Sequence, residues 1–306
     1  MLGPLVAASV DRLRGADFLD ISDLEPAQLR GLVDLAGEIK AGRWQERPLA
    51  GRTVAMLFQK PSMRTRVSFQ VGVQRLGGDC VSLSDSEIQL GRRETAADVA
   101  RVLDRYVDGI VARLNRHQDM AELAQFSQKP VVNALTDQSH PCQVLADLLT
   151  IYENLGRLDE TVKVAFVGDG NNVVYSLIEA ATLLGFNLTV ISPAAYRPPA
   201  EVLQRSAGVT VSGDLEAVRN AAIVYTDVWT SMGMESEAHA RRDQFREYQV
   251  NEALMGMAPA ARFMHCLPAH RGEEVSAAVI DGPASLVFDQ AENRLWAQMA
   301  LMASVF

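Results

Sequence analysis

The chain has 306 residues, 48% of them hydrophobic and 22% charged, so it can bury a sizeable core and does not have the composition of a disordered chain. That length exceeds one ordinary small domain and favours two α/β domains. A formal net charge of −9 argues against nucleic-acid and anionic-membrane partners, so an anionic small substrate would have to be drawn in by a local arginine cluster. Residues 1–20 carry no structural signal. Asp20 and Asp23 then open a capped helix predicted over 24–39, and 52–58 reads as a strand. Val67, Val71, Val73 and Leu76 recur at helical spacing, which predicts a helix over 65–76 ended by Gly77 and Gly78. A polar loop over 82–94 leads to a helix at 95–106, strands at 109–113 and 130–135, and a helix at 141–154.

The second half repeats the rhythm. Strands are predicted at 162–167, 187–191, 223–227, 263–267 and 286–288, with helices at 173–184 and 291–305. Alternating strands and helices imply an α/β fold of two domains, each a mainly parallel sheet flanked by helices with right-handed crossovers. The predicted boundary falls near 135–150, with the helix at 141–154 crossing it. Domain one is then 1–138, completed by the C-terminal helix 291–306, and domain two is 139–290. Arg64, Arg113, His140, Asn172, Asp227 and Cys266 each follow an apolar strand run. Ligands of open α/β sheets bind at the carboxyl ends of strands, so these six predict one cleft between the two domains.

The sharpest local signal is Ser62-Met63-Arg64-Thr65-Arg66, between a strand that stops at Pro61 and a helix that begins there. A helix N-terminus carries unpaired N–H groups and a positive dipole end. Two hydroxyls and two guanidiniums added there make an oxyanion site, most simply for phosphate; the plainer reading is a capped surface helix. His140-Pro141-Cys142-Gln143 opens the next helix, either as an ordinary proline start or with His140 and Gln143 facing a carbonyl or amide. Gly168-Asp169-Gly170-Asn171-Asn172-Val173 departs from a dinucleotide loop. Val173 replaces the third glycine, and the next strand ends in Ser192-Pro193 with no acid for a ribose. Its asparagine amides suit a carboxylate instead.

Asp227 ends a strand and precedes Ser231-Met232-Gly233, a combination suited to an α-amino acid unless the loop is simply anchored by Trp229. His265-Cys266-Leu267-Pro268 ends another strand. No His/Asp arrangement supports a catalytic thiolate, so Cys266 is not expected to be a covalent nucleophile. Cys80, Cys142 and Cys266 have no framework spacing, which fits a reducing cytoplasm. Neither a metal site, a signal peptide nor a transmembrane helix is expected.

These motifs, in this order and over nearly the whole chain, resemble the aspartate/ornithine carbamoyltransferase family, and its ornithine branch in particular. The resemblance implies a transferase that moves the carbamoyl group of carbamoyl phosphate to the side-chain amine of L-ornithine, giving citrulline and phosphate in arginine biosynthesis. It leaves open another acceptor amine (putrescine, acetylornithine or aspartate) or a catalytically silent binding paralogue. The first domain would bind carbamoyl phosphate and the second ornithine. Ser62, Met63 through its backbone, Arg64 and Thr65 would hold the phosphate with help from Arg113. His140, Gln143 and Arg294 would contact the carbamoyl group, and the Cys266 and Leu267 carbonyls its NH2. Asn172, Asp227, Ser231 and Met232 would hold the amino-acid end of ornithine. The resemblance also implies a cytoplasmic homotrimer in which Gln89 reaches a neighbour's site, with no cofactor. Met63 stands where many members have Thr, and Met234 where Gln is common.

Overall fold

The computed structural model describes residues 10–204, 206–230 and 235–306. It divides into two compact units: one runs through Leu149 and takes in Glu292–Phe306, and the other is Thr150–Ala291.

The first unit is built on four parallel strands, β1 (Thr53–Phe58), β2 (Asp79–Ser84), β3 (Gly109–Arg113) and β4 (Val131–Leu135), in the order β2-β1-β3-β4. The interior strands β1 and β3 are buried on both faces, which is why they read as unbroken apolar runs. Ala55, Leu57, Ile110 and Ala112 pack one face against Val99, Leu103, Met120 and Leu123. Strand order reverses between β1 and β3, where Phe58 lies in register with Arg113. Connections leave a reversal point in opposite directions and open a crevice at the strand carboxyl ends. The Ser62 segment and Arg113 both emerge there.

The second unit has five parallel strands, β5 (Lys163–Val167), β6 (Asn187–Ile191), β7 (Val209–Ser212), β8 (Ile223–Thr226) and β9 (Arg262–His265), in the order β7-β6-β5-β8-β9. Its reversal lies between β5 and β8, so the Gly168–Asn172 segment and Asp227 leave neighbouring strand ends. Thr226 Oγ1 donates to Val167 O at 2.6 Å and ties those two ends together.

Two predicted segments differ in kind from the sequence expectation, and β7 and the helix His117–Phe126 have no counterpart in it. Residues 286–288 do not form a strand: only Ser285 bridges to Phe263, and the last helix already begins at Val287. Leu286 N–H bonds Phe263 O while Leu286 O accepts from Gln290 N–H, both at 2.8 Å, so one residue ends a strand-like contact and starts the helix. The polar segment 82–94 is not all loop, because it holds the end of β2 and a one-turn helix, Asp85–Ile88. The strand β2 gives little apolar signal because it is a largely exposed edge strand.

Candidate active site

Ser62 caps the Met63–Arg75 helix from an extended backbone, and its Oγ accepts the Thr65 N–H in a long 3.4 Å bond. The proline that stops β1 and the hydroxyl that starts the helix lie within two residues, so the helix N-terminus is local sequence made solid. Arg64 is half-buried on the first turn, and Met63 is 73% exposed. Thr65 is buried, and its hydroxyl accepts from Arg294 Nη2 at 3.0 Å. Arg294 Nη1 donates to Gln143 Oε1 at 2.6 Å, and Gln143 Nε2 donates to Asp147 Oδ1 at 2.9 Å. Arg294, which lies in the Val287–Val305 helix, thus joins the Ser62 helix to the Pro141–Leu155 helix. Both of these partners are neutral.

Arg113 and His140 are buried, at 6% exposure each. Burial, reinforced by the charges of Arg294 and Arg113, holds the His140 pKa well below its ordinary value. His140 is therefore a neutral imidazole at neutral pH, next to two permanent cations. Burial also pushes the Cys142 thiol up to about 12, which makes it an inert core group.

The loops at the strand ends are stitched together. Gln59 N–H bonds Arg113 O at 2.9 Å, and the Gln59 Oε1 accepts Asn115 N–H at 2.8 Å. Arg113 lies past an irregularity in the β3–β4 register that pairs it with Leu135. Gln89 is exposed, in a left-handed conformation (φ 49°), with Nε2 3.5 Å from Ser86 O.

In the second unit Asp227 is buried. Its Oδ2 accepts from Asn171 Nδ2 at 2.8 Å, and its Oδ1 accepts from Val228 N–H at 2.8 Å and from Cys266 Sγ at 2.9 Å. Asn171 is also the cap of the Asn172–Leu184 helix, through Val173 N–H and Val174 N–H. The sequence singled out Asn172, which occupies the first helical position; the residue bonded to Asp227 is the one before it. Ser231 and Met232 lie outside the described residues. Asp169 pairs with buried Arg241, and burial raises its pKa to about 6 against the pull of that cation.

Cys266 is followed by Leu267, whose φ of 57° is unfavourable for a branched side chain. Its N–H donates to His265 Nδ1 at 2.9 Å. A ring nitrogen that accepts a backbone N–H carries no proton, so His265 Nε2 is the N–H and donates to Glu274 Oε1 at 3.1 Å. His265 and Glu274 are fully buried. Glu274 carried no signal in the sequence, because its partner is contributed by another strand end. Among the described residues, Asp227, His265 and Cys266 place ligand-type atoms within 4.8 Å of one another, as do His270, Glu273 and Glu274. Both nitrogens of His265 are already committed, so a metal in the first group would have to break one of those bonds. No described helix is long and apolar enough to cross a membrane.

Comparison with known proteins supplies an independent finding. Residues 16–153 match the domain described as aspartate/ornithine carbamoyltransferase, carbamoyl-P binding domain, and residues 160–305 match the corresponding Asp/Orn binding domain. An ornithine carbamoyltransferase of Methanobrevibacter smithii is 50% identical over 94% of this chain and 98% of its own length. An anabolic ornithine carbamoyltransferase of Pyrococcus furiosus is 49% identical over 96% of this chain and 97% of its own. The solved structure of ornithine carbamoyltransferase from that organism superposes with a TM-score of 0.92 at 47% identity, covering 96% of this chain and 97% of that one.

Proposed function

Since the chain belongs to the aspartate/ornithine carbamoyltransferase family, we propose that it is a carbamoyltransferase acting on carbamoyl phosphate and L-ornithine, with its anionic substrate held by the first unit and its amino-acid substrate by the second. The observation that carries the reading is Arg294, buried and aimed by Thr65 and Gln143. A buried guanidinium held by neutral partners, beside Arg113 and a neutral His140, is an environment built for an anion.

In the reaction the lone pair of the side-chain amine forms a C–N bond to the carbamoyl carbon. The C–O bond to phosphate breaks, and the departing phosphate takes the proton from the new amide nitrogen. Negative charge grows on the carbonyl oxygen, faced by Thr65, His140, Arg64 and Arg294, and on the leaving phosphate, faced by Ser62, Met63 N–H, Arg64, Arg113 and the helix N-terminus. Preorganised charge of this kind is usually the largest catalytic contribution, and positioning the two reactants is the next. Gln143 and the Cys266 and Leu267 carbonyls orient the carbamoyl NH2. The acceptor amine has an ordinary pKa of roughly 10.4, near that of Lys, and must lose its proton to attack. A cationic reaction centre favours that neutral form. Asp227 pairs with the α-ammonium of ornithine, while Asn172 and the Ser231-Met232 turn take its carboxylate.

The proposal extends to a cytoplasmic enzyme of arginine biosynthesis, assembled as a homotrimer in which Gln89 serves a neighbour's phosphate site. The left-handed, exposed placement of Gln89 supports a partner-facing role. A colorimetric citrulline assay tests the acceptor directly, with ornithine, N-acetylornithine, putrescine and aspartate side by side. Ornithine is expected to give the highest kcat/KM by at least about tenfold, equal to about 1.4 kcal/mol. Equal turnover of N-acetylornithine, which lacks the α-ammonium, would remove Asp227 as the ammonium partner.

A further inference from the structure

The turn that carries His140 is held from two directions. Residues 18–23 run beside β4: Phe18 N–H bonds Val131 O, and Asn133 N–H bonds Phe18 O, both at 2.8 Å. That path brings Asp20 to the turn. From the other side comes the His117–Phe126 helix, whose first N–H, that of His117, donates to Asp137 Oδ1 at 2.7 Å. The His117 ring spans both supports. Its Nε2 is 3.3 Å from Asp20 Oδ2 and its Nδ1 is 3.0 Å from Thr136 Oγ1.

Thr136 organises the turn itself. Its Oγ1 accepts from Gln138 N–H at 3.3 Å and from Ser139 N–H at 3.2 Å, while its own N–H bonds Ser139 O at 2.8 Å. A hydroxyl oxygen offers two lone pairs and one proton. With the lone pairs given to Gln138 and Ser139, the proton is what Thr136 offers to His117 Nδ1. Neutral His117 then carries its proton on Nε2, facing Asp20.

We propose that His117 is a positioning residue for His140, acting through Thr136: neutral His117 accepts the Thr136 hydroxyl proton and leaves the turn intact, whereas protonated His117 presents an Nδ1–H that competes with the turn's own N–H groups for the same oxygen. The inference rests on the reading of His140 as a carbamoyl contact. The charged groups around the ring are Asp20 and Asp23 from the 18–23 segment and Asp137 from the turn. Neighbouring Arg116 is paired with Asp119 on its own helix. The hydrogen bond to Asp20 raises the His117 pKa above its ordinary 6.5, against the opposing effect of burial, so the protonated ring persists to higher pH than a free imidazole.

The sign separates positioning from simple bracing. A histidine whose pKa is raised by folding stabilises the fold fully below about 6.5 and loses that contribution as pH rises through the folded value. Stability from His117 is therefore greatest at low pH, while the matched turn exists only at high pH. If His117 merely braced the fold, activity would follow stability; a positioning role makes the two run in opposite directions.

The experiment measures kcat of the parent, His117→Gln, Thr136→Val and His140→Ala from about pH 6 to about pH 9, with both substrates saturating and thermal unfolding recorded on the same samples. At the alkaline end His117→Gln is expected to lower kcat about tenfold, short of the roughly hundredfold cost of a 1 Å misplacement, with the ornithine KM unchanged. The parent-to-variant ratio of kcat should rise with pH while the parent's stability advantage falls. If His117→Gln folds poorly, Thr136→Val leaves the His117–Asp20 pair in place and should give the same loss at the alkaline end. A ratio that is flat with pH, or that falls alongside the stability difference, overturns the inference. So does a kcat for Thr136→Val within about twofold of the parent. Should His140→Ala keep parental kcat, the reading of the site itself fails, and this inference fails with it.

Discussion

The two units handle charge in opposite ways. In the first, the charges of Arg294 and Arg113 act on a neutral buried histidine, His140, and Arg294 bonds the neutral side chains of Thr65 and Gln143. In the second, buried Asp227 is held by the amide of Asn171, the N–H of Val228 and the thiol of Cys266, all neutral donors. Each unit places its charge at the point where its strand order reverses. Contrast Asp169, which is matched to Arg241 and so is structural. The proposed function uses this difference in sign to sort a phosphate from an ammonium within a chain whose net charge is −9.

The strongest way to break this comparison is to remove a cation from the first unit. Arg64→Ala is expected to reduce turnover by on the order of 3–4 kcal/mol of transition-state stabilisation, because Arg64 is assigned to both sites of developing charge. Initial rates with both substrates saturating measure it, alongside circular dichroism to establish that the fold is kept. A rate within about threefold of the parent, about 0.7 kcal/mol, would remove Arg64 from the site.

A smaller effect sharpens the second unit's half. Glu274→Ala leaves the buried His265 Nε2–H without its acceptor, which should destabilise the fold by about 1–3 kcal/mol. His265 then loses the partner that fixes its tautomer, and the Leu267 N–H loses its hold. Glu274→Gln retains an acceptor oxygen and should recover most of the stability. Thermal unfolding of the three proteins decides it: equal melting temperatures would mean that His265 does not depend on Glu274.

Legibility in the sequence followed the range of the interactions. The Ser62 cap, the Pro141 helix start and the burial of β1 and β3 were readable because each is set by residues within a few positions. Arg113, His140 and Asp227 were readable as strand-end polar groups for the same reason. Arg294 was different. Its partners Gln143 and Thr65 are 151 and 229 residues away, so no local pattern could assign it, and only the family resemblance suggested a role. At Asn171 and Asn172 the sequence singles out Asn172, whereas the structure bonds Asn171 to Asp227, and the choice between adjacent asparagines depends on which one caps the helix. The residues His117, Asp20 and Glu274 act through partners on other elements, and nothing near them in sequence marks it. The strand predicted over 286–288 failed because a three-residue apolar run fits a helix start as well as a strand.

The central claim is that opposite charges in the two units hold different ligands, and Asp227→Asn tests it most directly. Carbamoyl phosphate binding is measured by calorimetry and the ornithine KM by initial rates. The account predicts carbamoyl phosphate affinity within about threefold of the parent and a loss on ornithine of roughly 2–5 kcal/mol, the cost of truncating one partner of a desolvated charge pair. Loss of carbamoyl phosphate binding with ornithine use unchanged would contradict it.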